Sequence, residues 1–89
     1  MSTTMTAEVF QDDLAVSLAR ALTTANKKAR ELGIDVIQSI ISITQLYFNG
    51  GSIWRINYGP KNYVNLRGGD LIVEVDADSA TIKRVLKGQ

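Results

Sequence analysis

The residue types in this sequence that could take part in catalysis are carboxylates and serines. The chain has no cysteine and no histidine, so the thiol nucleophile and the commonest general base are absent. Glu74 and Asp76 share one face of a predicted strand, about 6–7 Å apart, a separation that acid–base pairs use. We favour the alternative, a solvated strand face that leads into a turn. The sequence therefore predicts a protein that is not an enzyme and has no catalytic residues.

Two short motifs bear on metal and phosphate binding. Asp76-Ala77-Asp78 begins like a calcium loop but lacks the glycine and the distal glutamate of the full pattern, and a turn accounts for it better. Arg67-Gly68-Gly69 would offer free backbone amides to a phosphate. We favour a loop that needs positive φ before a strand. The sequence therefore predicts no metal site and no cofactor.

Aromatic residues are concentrated in one segment, with five of the six between positions 47 and 63. Together with interleaved basic residues they predict a surface that binds a protein, because Trp, Tyr and Arg are enriched at interfaces. Stacking of single-stranded nucleic acid is an alternative. A core position beneath a helix is a third, and we favour it for Trp54. The candidate binding residues are Trp54, Arg55, Tyr58, Lys61, Tyr63 and Arg67.

Size and charge limit the possible functions. The 89 residues are 45% hydrophobic, which predicts one globular domain over residues 6–89 after a disordered tail at 1–5. The net charge is +1, and such a balance disfavours nucleic acid as a partner. The N-terminal residues lack the apolar core of a signal peptide, so we expect a cytoplasmic protein that does not enter a membrane.

One long N-terminal helix is the clearest predicted element. Thr6 is a candidate N-cap, and Asp12 is the alternative start. Gly33 supplies the left-handed position that ends a helix. Alanines in the middle of the helix predict close packing on a sheet. The apolar stripe has spacings of three and four residues and comprises Leu14, Leu18, Leu22, Ala25, Ala29 and Leu32, with Phe10 one turn earlier.

About four antiparallel strands are predicted after the helix. Residues 34–48 are rich in isoleucine, which favours a strand, although a partly helical segment also fits the spacing; the change of phase at Ile40-Ile41 indicates a bulge. The turn at 49–52 is typical of a hairpin. Further strands are predicted at 53–58, 71–76 and 81–86. The fold class is therefore α+β, a helix packed on an antiparallel meander.

This order of elements resembles the cystatin-like α+β folds, and the C-terminal half is similar to PepSY-type domains and to small immunity-type proteins of bacteria. The similarity covers residues 50–88. Ser79-Ala80 stands where such domains commonly have a glycine. The residues that carry the similarity are Trp54-Arg55-Ile56-Asn57-Tyr58, Arg67-Gly68-Gly69, Leu71–Asp76 and Thr81–Val85.

The resemblance implies a binding or inhibitory module. The leading hypothesis is thus a small non-catalytic protein-interaction module, such as an inhibitor or an immunity-like protein. Two alternatives are a nucleic-acid-binding protein that uses the aromatic and basic surface at 54–67, and a binder of a small ligand or peptide between helix and sheet. An exposed edge strand would also permit a homodimer, which would help so small a core.

Overall fold

The computed structural model describes residues 11–60 and 70–87, which form one helix and a four-stranded antiparallel sheet. Each strand pairs with its neighbour in the sequence, so the spatial order is β1-β2-β3-β4. The predicted α+β class and the four-stranded meander are confirmed; cystatin-like ancestry stays a prediction. The predicted tail, Thr6 and Phe10 lie outside the described residues. The elements are α1 (Asp13–Glu31), β1 (Ser39–Phe48), β2 (Gly51–Pro60), β3 (Leu71–Asp76) and β4 (Ile82–Lys87).

Both ends of α1 follow from local sequence. Asp12 is the N-cap, and its Oδ1 accepts the Ala15 N–H at 3.0 Å, which satisfies one of the amides that have no partner in the first turn. Glu31 is the last helical residue, and Gly33 follows with φ of 86°. This left-handed conformation suits glycine because it has no Cβ. The start at Asp12 and the end at Gly33 are thus confirmed.

The helix packs on β2 and β3 through its smallest side chains. Ala21, Ala25 and Ala29 are fully buried, which lets the helix backbone approach the sheet closely. The predicted stripe is wrong at its ends, since Leu14 and Leu32 are exposed. Leu14 lies in the first turn, one turn before Leu18, where packing against the core begins, and Leu32 is the C-cap, one residue beyond the last helical residue. Across from the buried alanines lie Trp54, Ile56, Tyr58, Leu71, Val73 and Val75.

The predicted bulge in β1 is absent. β1 pairs with β2 in one continuous register from Ser39 opposite Pro60 to Phe48 opposite Gly51. The apparent change of phase has another cause, since isoleucines occupy both faces of this edge strand. The register shift of the sheet lies instead between Glu74 and Val75, where β3 pairs with β4.

Two tight turns set the strand order. Asn49-Gly50 joins β1 to β2, and Gly50 has φ of 82°, so the predicted hairpin is confirmed. The second turn joins β3 to β4, where Asp76 Oδ1 accepts the N–H groups of Asp78 at 2.8 Å and Ser79 at 2.9 Å. Ala80 completes that turn with φ of 59°, a left-handed conformation that is uncommon for a residue with a Cβ.

Candidate functional site

Two of the predicted binding residues, Trp54 and Tyr58, lie in the core beneath α1. Trp54 is 5% exposed and its Nε1–H donates to Ser17 Oγ at 2.9 Å. Ser17 Oγ in turn donates to the Ala77 carbonyl at 2.8 Å, so one hydroxyl joins the helix to β2 and to the turn after β3. The indole is thus a structural anchor. A partner would reach it only by displacing the helix.

Tyr58 is also buried, and its hydroxyl donates to Asn26 Oδ1 at 2.6 Å. Burial disfavours the phenolate and raises the pKa of Tyr58 to about 12, against a smaller opposing effect of the Arg30 charge. The space between helix and central strands is filled by Leu18, Leu22, Ile56 and Val73 with these two rings.

Arg55 lies on the opposite side of the sheet, which we call the open face, and binds a buried carboxylate. Its Nε donates to Glu74 Oε2 at 2.8 Å, and Arg84 Nε donates to Glu74 Oε1 at 3.1 Å. These hydrogen bonds, that from Arg84 first, hold the pKa of Glu74 below its ordinary value, against the opposing effect of burial. The Glu74 side chain is 7% exposed, whereas those of Arg55 and Arg84 are 39% and 55% exposed. The arginines therefore shield the carboxylate from solvent.

The other predicted candidates are either engaged or outside the described part of the chain. Asp76, the second carboxylate of the predicted pair, accepts the turn amides, and these hold its pKa below the ordinary value. Lys61, Tyr63 and Arg67 lie outside the described residues. Within residues 11–60 and 70–87, no three acidic side chains are grouped so as to hold a metal ion.

The most exposed apolar surface lies on β1. Ile41 and Ile43 pair with Tyr58 and Ile56, so they point to the same face as the helix. They remain 37% and 40% exposed because α1 packs on β2 and β3 and does not extend over β1. Exposed apolar side chains on the open face of β1 are Ile40 and Phe48, and Tyr47 is exposed at the hairpin end.

The outer edge of β1 has no strand beside it in the described part of the chain. The direction of its backbone groups follows from β2. The Ser52 carbonyl accepts the Ala77 N–H at 3.1 Å, so Ser52 directs its backbone groups towards β3. Backbone direction alternates along a strand, so the odd-numbered residues of β2 are directed towards β1. These pair with the even-numbered residues of β1.

The odd-numbered residues of β1 from Ile41 to Tyr47 therefore direct their N–H and C=O groups away from the sheet. At the start of the strand the Ser39 N–H donates instead to the Val36 carbonyl at 3.1 Å. An edge of this kind is a template for another strand. No charged residue and no proline occurs in its ten-residue sequence, SIISITQLYF. We call this surface the β1 edge: the outward backbone groups of Ile41, Ile43, Gln45 and Tyr47 and the Ser39 carbonyl, with the exposed side chains beside them.

No protein-family model, curated protein or solved structure matches this chain. The similarity to PepSY-type domains therefore stays a prediction. Among the described residues, no helix combines the length and the apolar character needed to cross a membrane.

The sequence contained a signal for the β1 edge. Residues 39–48 form the longest strand-like segment without a charge, and β4 has three basic residues in only six. A central strand buried on both faces has the same composition, however, so composition alone did not show that β1 lies at an edge. The aromatic residues instead predicted a binding surface on β2, where Trp54 and Tyr58 are in fact buried in the core.

Proposed function

We propose that this protein is a non-catalytic protein-interaction module that binds its partner by adding a strand to the β1 edge. The observation that carries the proposal is the combination of outward backbone groups and exposed isoleucines on a ten-residue strand without charge. Strand addition takes its affinity from main-chain hydrogen bonds and its specificity from alternate side chains. The β1 edge supplies both.

Exposure of Ile41 and Ile43 on the helix face adds to this argument. Solvated apolar side chains that form a contiguous patch mark interaction sites. A strand laid along β1 would cover Ile43 and extend the core beyond Ile56, its cross-strand neighbour. The same strand would satisfy the outward N–H and C=O groups, so apolar burial and hydrogen bonding favour the same partner geometry.

The described residues give less support to nucleic-acid binding. Stacking on the surface at 54–67 needs exposed rings, and the two described rings of that segment, Trp54 and Tyr58, are buried. Arg55 and Arg84 share the Glu74 carboxylate, which reduces the positive charge of the open face. Protein binding at the β1 edge requires no rearrangement of these groups.

Affinity capture with matched variants tests the proposal. Wild-type protein, Ile43→Lys and Ala19→Lys would each be immobilised and exposed to an extract of the source cells. Ala19 is exposed on α1, away from the β1 edge, so it controls for the added charge. We expect wild type and Ala19→Lys to retain a stoichiometric protein, either another protein or further copies of this chain, that Ile43→Lys does not retain. Retention of the same proteins by all three would contradict the proposal.

A further inference from the structure

We propose that the partner strand is β1 of a second copy of this chain, paired antiparallel about a twofold axis at Ile43. The inference rests on the proposed function and names its partner. The product would be one eight-stranded sheet with both helices on the same face.

Register follows from the outward backbone groups. A twofold axis perpendicular to the sheet makes the interface isologous, the same surface on both copies. Centred on Ile43, it places Ile41 opposite Gln45 and Ser39 opposite Tyr47 of the second copy. Ile41, Ile43 and Gln45 then each face another outward residue and exchange two hydrogen bonds with it. The outermost pair, Ser39 with Tyr47, exchanges one, because the Ser39 N–H already donates to the Val36 carbonyl at 3.1 Å. A shift of the axis to Ser42 leaves Tyr47 unpaired. A shift to Thr44 pairs the remaining outward residues but places Ile43 opposite Gln45, so the contact between the two Ile43 side chains selects the axis at Ile43.

Side chains match in this register. Ile43 meets Ile43 of the second copy on the helix face. On the open face, Ile40 faces Leu46, and Ser42 faces Thr44. Apolar and hydroxyl pairs of this kind stabilise antiparallel strands, and the absence of charge from β1 means that no like charges meet.

The second copy is favoured over an unrelated strand because the assembly closes. The β4 edge has Lys83, Arg84 and Lys87 in six residues, and such charges discourage further pairing. When two β1 edges pair, neither remains free, so no further copy can add to the dimer. A chain of 89 residues with a small core also gains stability from association.

The expected affinity follows from the size of the contact. Nine paired residues form a strip about 30 Å long and about as wide as one sheet layer with its side chains, so roughly 1,000 Å² would be buried in total. This area is at the low end for specific interfaces. We therefore expect a dissociation constant in the micromolar range, on the order of 1–100 µM.

Charge swapping at the axis tests the inference with purified full-length chain. Sedimentation would be measured from about 1 µM to about 1 mM protein for wild type, Ile43→Lys, Ile43→Glu and their equimolar mixture. We expect a wild-type dimer of twice the 9.7 kDa chain mass. Each variant alone would bring like charges together and weaken association about 100-fold or more. The mixture would recover a dimer because opposite charges then meet at the axis.

Cysteine cross-linking tests the register. Ile43→Cys places two thiols about 5.5 Å apart between Cα atoms, within disulfide range, so mild oxidation would yield a covalent dimer. Thr44→Cys is the control, because Thr44 faces Ser42 of the second copy and we expect little cross-linking. Equal cross-linking of both variants would contradict the register.

Two outcomes separate this inference from the proposed function. A wild-type chain that stays monomeric to about 1 mM would overturn the dimer, as would a mixture of the charge variants that stays monomeric while Trp54 fluorescence shows both variants folded. If affinity capture by the β1 edge still succeeds, the proposed function stands with a different partner. If capture also fails, both the dimer and the proposed function are contradicted.

Discussion

The two edges of the sheet differ in every property that controls strand pairing. β4 has six residues, three of them basic, and its pairing with β3 contains a register shift. β1 has ten residues, none of them charged, and pairs with β2 without a shift. Charges, short length and irregular pairing are the means by which proteins prevent edge-to-edge association.

The contrast extends into the interior. On the β4 side, Arg84 binds the buried Glu74 carboxylate, and the Ser79 N–H donates to the Asp76 carboxylate within the turn. Both contacts stabilise the pairing of β3 with β4. The β1 side has isoleucines on the helix face that α1 does not cover. If the β1 edge is the interaction surface that we propose, the β4 side contributes stability and the β1 side contributes association. Changes on the β4 side should alter unfolding, and changes on the β1 side should alter association.

The largest difference is expected between two isoleucines that face each other across strands. Ile56 is fully buried, and Ile43 is its 40%-exposed neighbour in β1. Ile56→Ala should lower the free energy of unfolding by about 3–4 kcal/mol, because it leaves a cavity. Ile43→Ala should lower it by about 1 kcal/mol or less in dilute monomer. Urea unfolding followed by Trp54 fluorescence measures both, and equal losses would remove the distinction between edge and core.

Alkaline pH should unfold the protein through Tyr58. Its pKa is raised to about 12 in the folded state, against an ordinary value of 10. The stabilisation is complete below pH 10 and is lost as pH rises from 10 to 12, a change of about 3 kcal/mol. Tyr58→Phe loses the hydrogen bond to Asn26. Because it has no hydroxyl to ionise, its free energy of unfolding should not fall by this amount between pH 10 and pH 12. Parallel pH profiles for wild type and Tyr58→Phe would show that the phenol is solvated.

Acid should weaken the β4 side. The pKa of Glu74 is held below its ordinary value in the folded state, so the contribution of its carboxylate is present above the ordinary value of 4.5 and is lost as pH falls through the folded pKa. Glu74→Gln should cost about 1–2 kcal/mol at neutral pH, less than a fully buried pair because both arginines are half exposed. It should also flatten the acid decline. Association of the variant should match wild type by sedimentation, and a weaker dimer would contradict the separation of the two sides.

The smallest effect is expected at the turn before β4. Ala80 has φ of 59°, which strains a residue with a Cβ, so Ala80→Gly should raise the free energy of unfolding by about 0.5 kcal/mol. Ala77→Gly in the same turn is the control, since Ala77 does not have positive φ and gains only chain entropy in the unfolded state. A thermal unfolding midpoint that falls equally in both variants would contradict the strain at Ala80.

Local signals in the sequence predicted most of the fold. Gly33 and Asn49-Gly50 act through backbone conformations within a few residues, and both predictions are confirmed, as is Asp12, the alternative to Thr6 as the start of the helix. The helix face was predicted less well, because Leu14 and Leu32 fit the periodicity but are exposed, Leu14 in the first turn and Leu32 beyond the last helical residue. Periodicity shows which side chains share a face and does not show how far the opposite surface extends.

The candidate site was harder to predict for a related reason. Isoleucines on both faces of β1 led to the incorrect expectation of a bulge, because the pattern assumes that apolar residues face one core. An edge strand with apolar side chains on both faces has the same composition as a central strand that is buried on both faces. Trp54 and Tyr58 also have the residue types of an interface, yet their polar atoms are satisfied by Ser17 and Asn26 within the core.

Amide hydrogen exchange along β1, measured at dilute and concentrated protein, tests the central claim most directly. The N–H groups of Ser42 and Thr44 are directed towards β2 and should be protected at every concentration. Those of Ile41, Ile43 and Gln45 are directed outward, and we expect them to exchange fast in dilute protein and slowly once the β1 edges pair. Outward amides that exchange fast at all concentrations, and that stay fast with captured partner protein bound, would contradict the assignment of the β1 edge as the interaction surface.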